Sequence, residues 1–545
     1  MMHRNYAIAA VLTLLLVLWV WIAIKGPTQT YRMSTVPQTL KTTDSLVLLK
    51  KVVQERIATI KRVSGLLTPY NARAMSFVSA AVDRATSLNE LGAAFLLLPN
   101  NSIGSAPLEP LSGKPEDTTL FQFEQGPVGW YWGYATYKNQ HNSRDVANVM
   151  YYIIRIDLGT PDIRLKYNLP LGATTIYSVS FGAGFGKGTW HYSPYAMCRG
   201  SYEIRGPESF AFKARSEDGT ISISFNSDQK EFALEFSCKE VSNVFSTSTT
   251  FGKTSAPQFN APRGCAPCVA GDGTLYWSYP QLAASSTITI GATSRSFDSG
   301  DGWLDHQWMR GNDPLEVGVK ILTNFSQLKK SVGGLGRYVW LNVHLGEKQF
   351  MITAFPPESA KIEKGQTYPA QYISYSAHEA PTYNNKTMMT FEAITTYSGI
   401  TFPTMISVRL PGPDGTETYT LNSVPYGACV TLDLTGNFHW SGSALLTDSK
   451  GESPGTGFIE LNQFQPIDLY RSNMLKRAGI DESALDAFSG APLTPIQVLP
   501  SVLYILLGLG LFVAIIVFLV LGSRHSFANQ KMLCPINEPL SYPVF

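Results

Sequence analysis

Two uninterrupted apolar runs, one near each end of the 545-residue chain, constrain its fold more than any other feature. Residues 7–24 (AIAAVLTLLLVLWVWIAI) and 502–521 (VLYILLGLGLFVAIIVFLVL) carry no charge. As helices, runs of about 20 apolar residues match the ~30 Å hydrocarbon core of a bilayer. Trp19, Trp21 and Tyr504 stand near span ends, where amphipathic rings settle at the interface. No small-x-small signature follows the first run, so it reads as a signal anchor rather than a cleaved leader. An integral membrane protein with two spans is therefore expected. Both short tails share one side and the body lies on the other. His3 and Arg4 before the first span, and Arg524, His525 and Lys531 after the second, favour cytosolic tails and a lumenal or extracellular body. Lys25 and Arg32, on the far flank, oppose that orientation. In a glycosylating host the sequons at Asn100, Asn324 and Asn385 would then make the body a glycoprotein.

Between the spans the texture changes twice. From Leu46, apolar residues recur at steps of three or four (Leu49, Val53, Ile57, Ile60, Val63, Leu67), which predicts an amphipathic helix. Its other face carries Lys50, Lys51, Arg56, Lys61 and Arg62, and a second helical pattern runs over about 72–98. The pair reads as a hairpin packed on the body, or as a basic face resting on anionic headgroups. From Thr119, short apolar runs such as ISISF at 221–225 and FALEF at 232–236 are separated by turn residues. This is the pattern of a β-barrel or sandwich. The expected order is an anchor at 7–24, a helical stalk at 31–100, a first β-domain at 119–311, an insert at 312–336, a second β-domain at 337–465, a helical linker at 466–497, a span at 502–521 and a tail at 522–545.

The net charge of +2 gives no field to steer nucleic acid, and no nucleic-acid motif is present. Phosphate-binding loops, nucleophile elbows and zinc-protease motifs are likewise missing, and the scattered histidines suggest no metal and no cofactor. Cys265 and Cys268 have redox or zinc spacing without a second ligand pair, so a disulfide or plain structural cysteines are expected.

The densest stretch is GWLDHQW at 302–308, which places an acid beside a histidine between two tryptophans. YWSYPQL at 276–282 precedes it. Further landmarks are GWYWG at 129–133, with Glu124 upstream, VWLNVHL at 339–345, FHWSG at 438–442 and GTGFIEL at 455–461. In this order they resemble the carotenoid 1,2-hydratase, or hydroxyneurosporene synthase-like (AttH-like), superfamily over roughly residues 119–465. The resemblance implies a mainly β fold of two lipocalin-like barrels in tandem, and a cavity for an isoprenoid-like or polyketide-like ligand. The chain departs from the pattern at Gln307, where the signature has glutamate, and at Ser441, where an acid is common.

Strand alternation sorts the signature. Trp303, Asp305 and Gln307 share one face, and Leu304, His306 and Trp308 the other. Only one of Asp305 and His306 can then face a ligand. Asp305 is the expected acid, lining the cavity with Trp303 and Gln307, and His306 turns to the seam between barrels or supports Asp305. A desolvated carboxyl can protonate an alkene, and tryptophan faces can stabilise the cation. Trp130, Trp132, Tyr276, Trp277 and Trp440 are expected as core or ligand-lining aromatics. The competing use of Asp305 and His306 is structural, satisfying backbone donors. Three functions follow. The chain could bind an apolar ligand at a membrane surface, with membrane lipids as neighbours. It could hydrate, isomerise or cyclise a terpenoid-like substrate. Or it could serve as a structural subunit beside partners in a membrane complex or viral envelope.

Overall fold

A computed structural model describes residues 39–41, 43–64, 69–98, 128–139, 142–170, 172–185, 190–193, 195–206, 209–240, 243–259, 265–266, 274–309, 337–357, 360–376, 381–412, 415–423, 429–432 and 438–481. Both apolar runs lie outside these residues, as do Asn100, Asn324, Cys268 and the insert. No helix among the described residues is long and apolar enough to cross a membrane.

The protein is mainly β. Ten strands form the first barrel: β1 (Val128–Asn139), β2 (Asn142–Asp157), β3 (Thr175–Phe185), β4 (Ala196–Gly206), β5 (Ser209–Ser216), β6 (Ile221–Ser227), β7 (Glu231–Glu240), β8 (Asn243–Lys253), β9 (Thr274–Ile290) and β10 (Thr293–Met309). Each pairs antiparallel with the next, and β10 closes on β1, so the sheet is an up-and-down barrel. The second barrel repeats this plan with eight strands: β11 (Tyr338–Leu345), β12 (Lys348–Ala354), β13 (Thr367–Ser376), β14 (Thr382–Tyr397), β15 (Ile400–Gly412), β16 (Gly415–Asn422), β17 (Phe438–Thr447) and β18 (Thr456–Asn462). There β16 pairs with β17 and β18 closes on β11. Closure removes the free edges that an open sheet would expose.

Burial explains which strands alternate in sequence. β6 alternates buried and half-buried residues along its whole length, because one face meets solvent. β3 and β18 are buried on both faces, because helices or the other barrel cover the outside. In β1, Tyr131, Ala135 and Tyr137 enter the first-barrel core while Trp132 and Tyr134 join a cluster shared with the second barrel. Rings from opposite walls of the first barrel meet directly, as Phe181 does with Phe236 at 4.6 Å and Tyr131 with Phe225 at 5.5 Å. At those levels the first barrel is a packed core.

Three helices precede the barrels: α1 (Leu46–Ser64), α2 (Pro69–Arg84) and α3 (Leu88–Leu96). The pattern expected as one helix over 72–98 is thus two. The break is set at Ser87, whose side chain caps α3 by accepting from the Glu90 N–H. Leu49, Val53 and Ile57 of α1 pack with Leu88, Leu91 and Phe95 of α3 against Ile154, Ile156 and Ile176 of the first barrel. Two further helices, α4 (Pro161–Lys166) after β2 and α5 (Ile467–Arg477) after β18, sit against the same cluster. Arg56, expected on the exposed basic face, is instead buried at 1% exposure.

Candidate functional site

Three of the sequence landmarks lie side by side. The strands β9, β10 and β1 are adjacent, and their register sets Trp277 beside His306 and His306 beside Tyr131. One residue away, it sets Ser278 beside Asp305 and Asp305 beside Trp132. Pro280, which cannot donate to a ladder, falls where the β9–β10 register shifts between Tyr279 and Leu282.

The two rows face opposite ways. The row Trp277–His306–Tyr131 points into the first barrel. The His306 ring stacks on Tyr131 with centroids 4.1 Å apart and meets Trp277 at 5.0 Å. Its Nδ1 lies 2.9 Å from the Trp130 carbonyl, which can only accept, so Nδ1 carries the proton. The row Ser278–Asp305–Trp132 points out of that barrel into a seam with the second. The expected placements are therefore exchanged: His306 is the inward residue, and Asp305 with Trp303 lies between the barrels. Tyr131 and Leu304 show why. They carry the inward face of their strands, while Trp303 belongs to the shared cluster.

Around Asp305 the seam is aromatic. Trp303 meets Trp340 at 5.5 Å and Tyr375 at 5.6 Å, and Trp132 meets Trp340 at 5.1 Å and Phe458 at 5.7 Å. Asp305 is 3% exposed. Its Oδ2 accepts from the Tyr276 hydroxyl at 2.8 Å, and its Oδ1 accepts a short hydrogen bond from the Ser278 hydroxyl. Burial outweighs these two donors and pushes the carboxyl up to about 8, with the charge of Glu460 adding to the rise. Burial therefore favours the protonated form of Asp305, against the two hydroxyl donors that favour the carboxylate.

A second ionisable pair lines the seam from the other barrel. His439 Nδ1 stands 3.4 Å from Glu460 Oε1, both side chains being 7% exposed, and the Tyr338 hydroxyl donates to Glu460 at 3.1 Å. Nearby, the Gln349 amide lies 2.6 Å from His344 Nε2, which also meets the Tyr134 hydroxyl at 3.2 Å. Ser278, Tyr338, His439 and Glu460 were not singled out from the sequence as a site. The signal available was parity: Glu460 shares a strand face with Phe458, as Asp305 does with Trp303.

The remaining expected residues divide among three places. Trp132 and Tyr276 are at the seam, with Trp130 packed against both the seam and the helical cluster. Gln307 is half-buried on the seam-facing parity of β10. Trp277 is inside the first barrel and Trp440 inside the second, where it meets Phe402 at 5.3 Å. Cys265 occupies a two-residue strand paired with β9, and Asn385 lies on β14. Cys198 and Cys238 are buried free thiols.

No family model matches the chain, and no curated protein matches it. Solved structures are similar to it, three of them as follows. The AttH-like protein of Nitrosomonas europaea is 13% identical, with 66% of this chain and 100% of that chain covered and a TM-score of 0.45. Kievitone hydratase from Nectria haematococca is 11% identical, covering 66% and 99% at a TM-score of 0.38. CghA is 12% identical, covering 66% and 96% at a TM-score of 0.39.

Proposed function

We propose that the seam is a general-acid site that hydrates, isomerises or cyclises an apolar, terpenoid-like substrate. The observation that carries the proposal is the burial of Asp305 among tryptophan faces, which favours its acid form. A neutral carboxyl can pass its proton to an alkene carbon, leaving a carboxylate and a carbocation. The faces of Trp303, Trp132 and Trp340 favour that cation. Attack by water gives an alcohol, attack by a second alkene gives a ring, and loss of a neighbouring proton gives an isomer. In each outcome one proton returns to the site, to Asp305 or to the His439–Glu460 pair. The apolar runs at 7–24 and 502–521 would hold this site beside the bilayer in which such substrates dissolve. Carriage of an apolar ligand without chemistry is the second reading, favoured by the same aromatic lining.

The test is deuterium uptake from D2O into an acyclic isoprenoid alkene, read by mass spectrometry. Wild-type protein incorporates label, and Asp305→Asn slows incorporation on the order of a hundredfold or more. Incorporation falls as pH rises through about 8, because the acid form is lost there. Label uptake that is unchanged in Asp305→Asn would sink the acid role. Ligand retention without uptake would support carriage.

A further inference from the structure

Arg56 leaves the basic side of α1 and is buried against the end of the first barrel. Its Nη1 donates to the Gly159 carbonyl at 3.3 Å, and its guanidinium carbon lies 5.3 Å from the centre of the Phe95 ring. Its Nε and Nη2 are buried without a hydrogen-bond partner. Those two donors form one edge of the guanidinium plane, the edge that takes two oxygens of an oxyanion side by side.

The surroundings hold an excess of positive charge. Arg155 is fully buried and Arg164 is 6% exposed, and both arginines interact with Asp157, as Arg56 does. That carboxylate is already occupied. Its Oδ2 accepts from Arg164 at 2.6 Å, and its Oδ1 accepts from the Thr174 hydroxyl at 2.6 Å and the Gly159 N–H at 3.2 Å. Glu55, on α1 beside Arg56, is turned outward to Lys166 at 2.7 Å. Opposite Asp157 in the β2–β3 ladder, the Thr175 hydroxyl is also buried without a partner. Burial lowers both Arg56 and Arg155 to about 10, so each guanidinium stays charged at neutral pH. Buried charge left uncompensated is strongly unfavourable, and orphaned buried donors add to the cost.

We infer that this cluster binds a small oxyanion of the phosphate or sulfate type, held on the free edge of Arg56, which fastens α1 to the end of the first barrel. A halide would supply charge without matching two parallel donors.

Full-length protein purified without phosphate or sulfate is first denatured in acid, and any released anion is measured by ion chromatography. The native protein is then titrated with inorganic phosphate at constant ionic strength in chloride. The expected result is one oxyanion per chain, either co-purified or taken up saturably, with an unfolding midpoint raised by several degrees over chloride alone. Arg56→Gln weakens uptake at least tenfold, and Arg56→Lys, which keeps the charge and loses the paired edge, weakens it less. No released anion together with no saturable uptake by the wild type overturns the inference, whether or not the variants fold. Equal uptake by wild type and Arg56→Gln overturns it as well. Binding to phosphatidic acid vesicles without binding of soluble phosphate overturns the enclosed free-oxyanion site.

Discussion

At the scale of single residues, the burial of Asp305 makes the stability of the fold depend on pH. Burial raises the folded pKa of this carboxyl to about 8, well above the ordinary aspartate value of 3.8. Between those values the folded carboxyl keeps a proton that the unfolded chain has released. The resulting stabilisation is fully present below about 4 and is lost as pH rises toward 8. Asp305→Asn has no ionisable group there, so it removes this pH dependence and leaves the fold more stable than wild type at pH 8–9, by an amount on the order of a few kcal/mol. Chemical denaturation of both proteins at pH 5 and pH 9 measures this. A variant whose deficit or gain is the same at the two pH values would contradict it. Strand alternation separated Asp305 from His306 in the sequence, and that separation is real. Which of them faces inward was not legible, because both faces of β10 are apolar. An apolar outer face means a second layer, and a single strand cannot say which face that layer covers.

At the scale of elements, the GWYWG landmark is explained by packing around Gly133. A Cβ at this position would lie 2.5 Å from the Tyr151 ring of β2, so only glycine lets that ring enter the barrel. Gly133→Ala is expected to cost about 1–3 kcal/mol through overpacking, read as a lowered denaturant midpoint. A midpoint equal to wild type would mean that Tyr151 moves freely, which its buried position beside Phe225 and Phe251 opposes. Strands with one solvent face, such as β6, were legible from alternation, and the α1 helix from its three-and-four spacing. Arg56 was not, since a helical wheel assigns polar residues to solvent and has no knowledge of a buried carboxylate such as Asp157. The break between α2 and α3 was carried by Ser87 and Glu90, a capping pair within an otherwise continuous apolar pattern.

At the scale of the whole molecule, the seam joins residues that the chain keeps far apart. Trp132 and Trp303 of the first barrel meet Trp340 and Phe458 of the second, and polar bonds such as Thr456 to Asp301 at 2.7 Å cross the same boundary. The landmarks could be read in order along the sequence, but their meeting follows only from the closure of two meanders and the docking of their faces. Trp340 is the shared member, touching Trp132, Trp303, Tyr134 and Phe458. Phe402 is a useful contrast, because it lies in the second-barrel core and packs on Trp440 and Phe464. Truncating either to alanine should cost about 3–5 kcal/mol. The two losses should be felt in different places. In Trp340→Ala, amide hydrogen exchange should rise in β1 and β10 as well as in β11, because the seam that couples the barrels is lost. In Phe402→Ala the rise should stay within the second barrel. If Trp340→Ala left exchange in β1 and β10 unchanged, the barrels would be independent units and Asp305 would owe its dry surroundings to the first barrel alone. If exchange there rises, the second barrel is what keeps Asp305 desolvated, and Trp340→Ala should also bring its pKa back toward the ordinary carboxylate range.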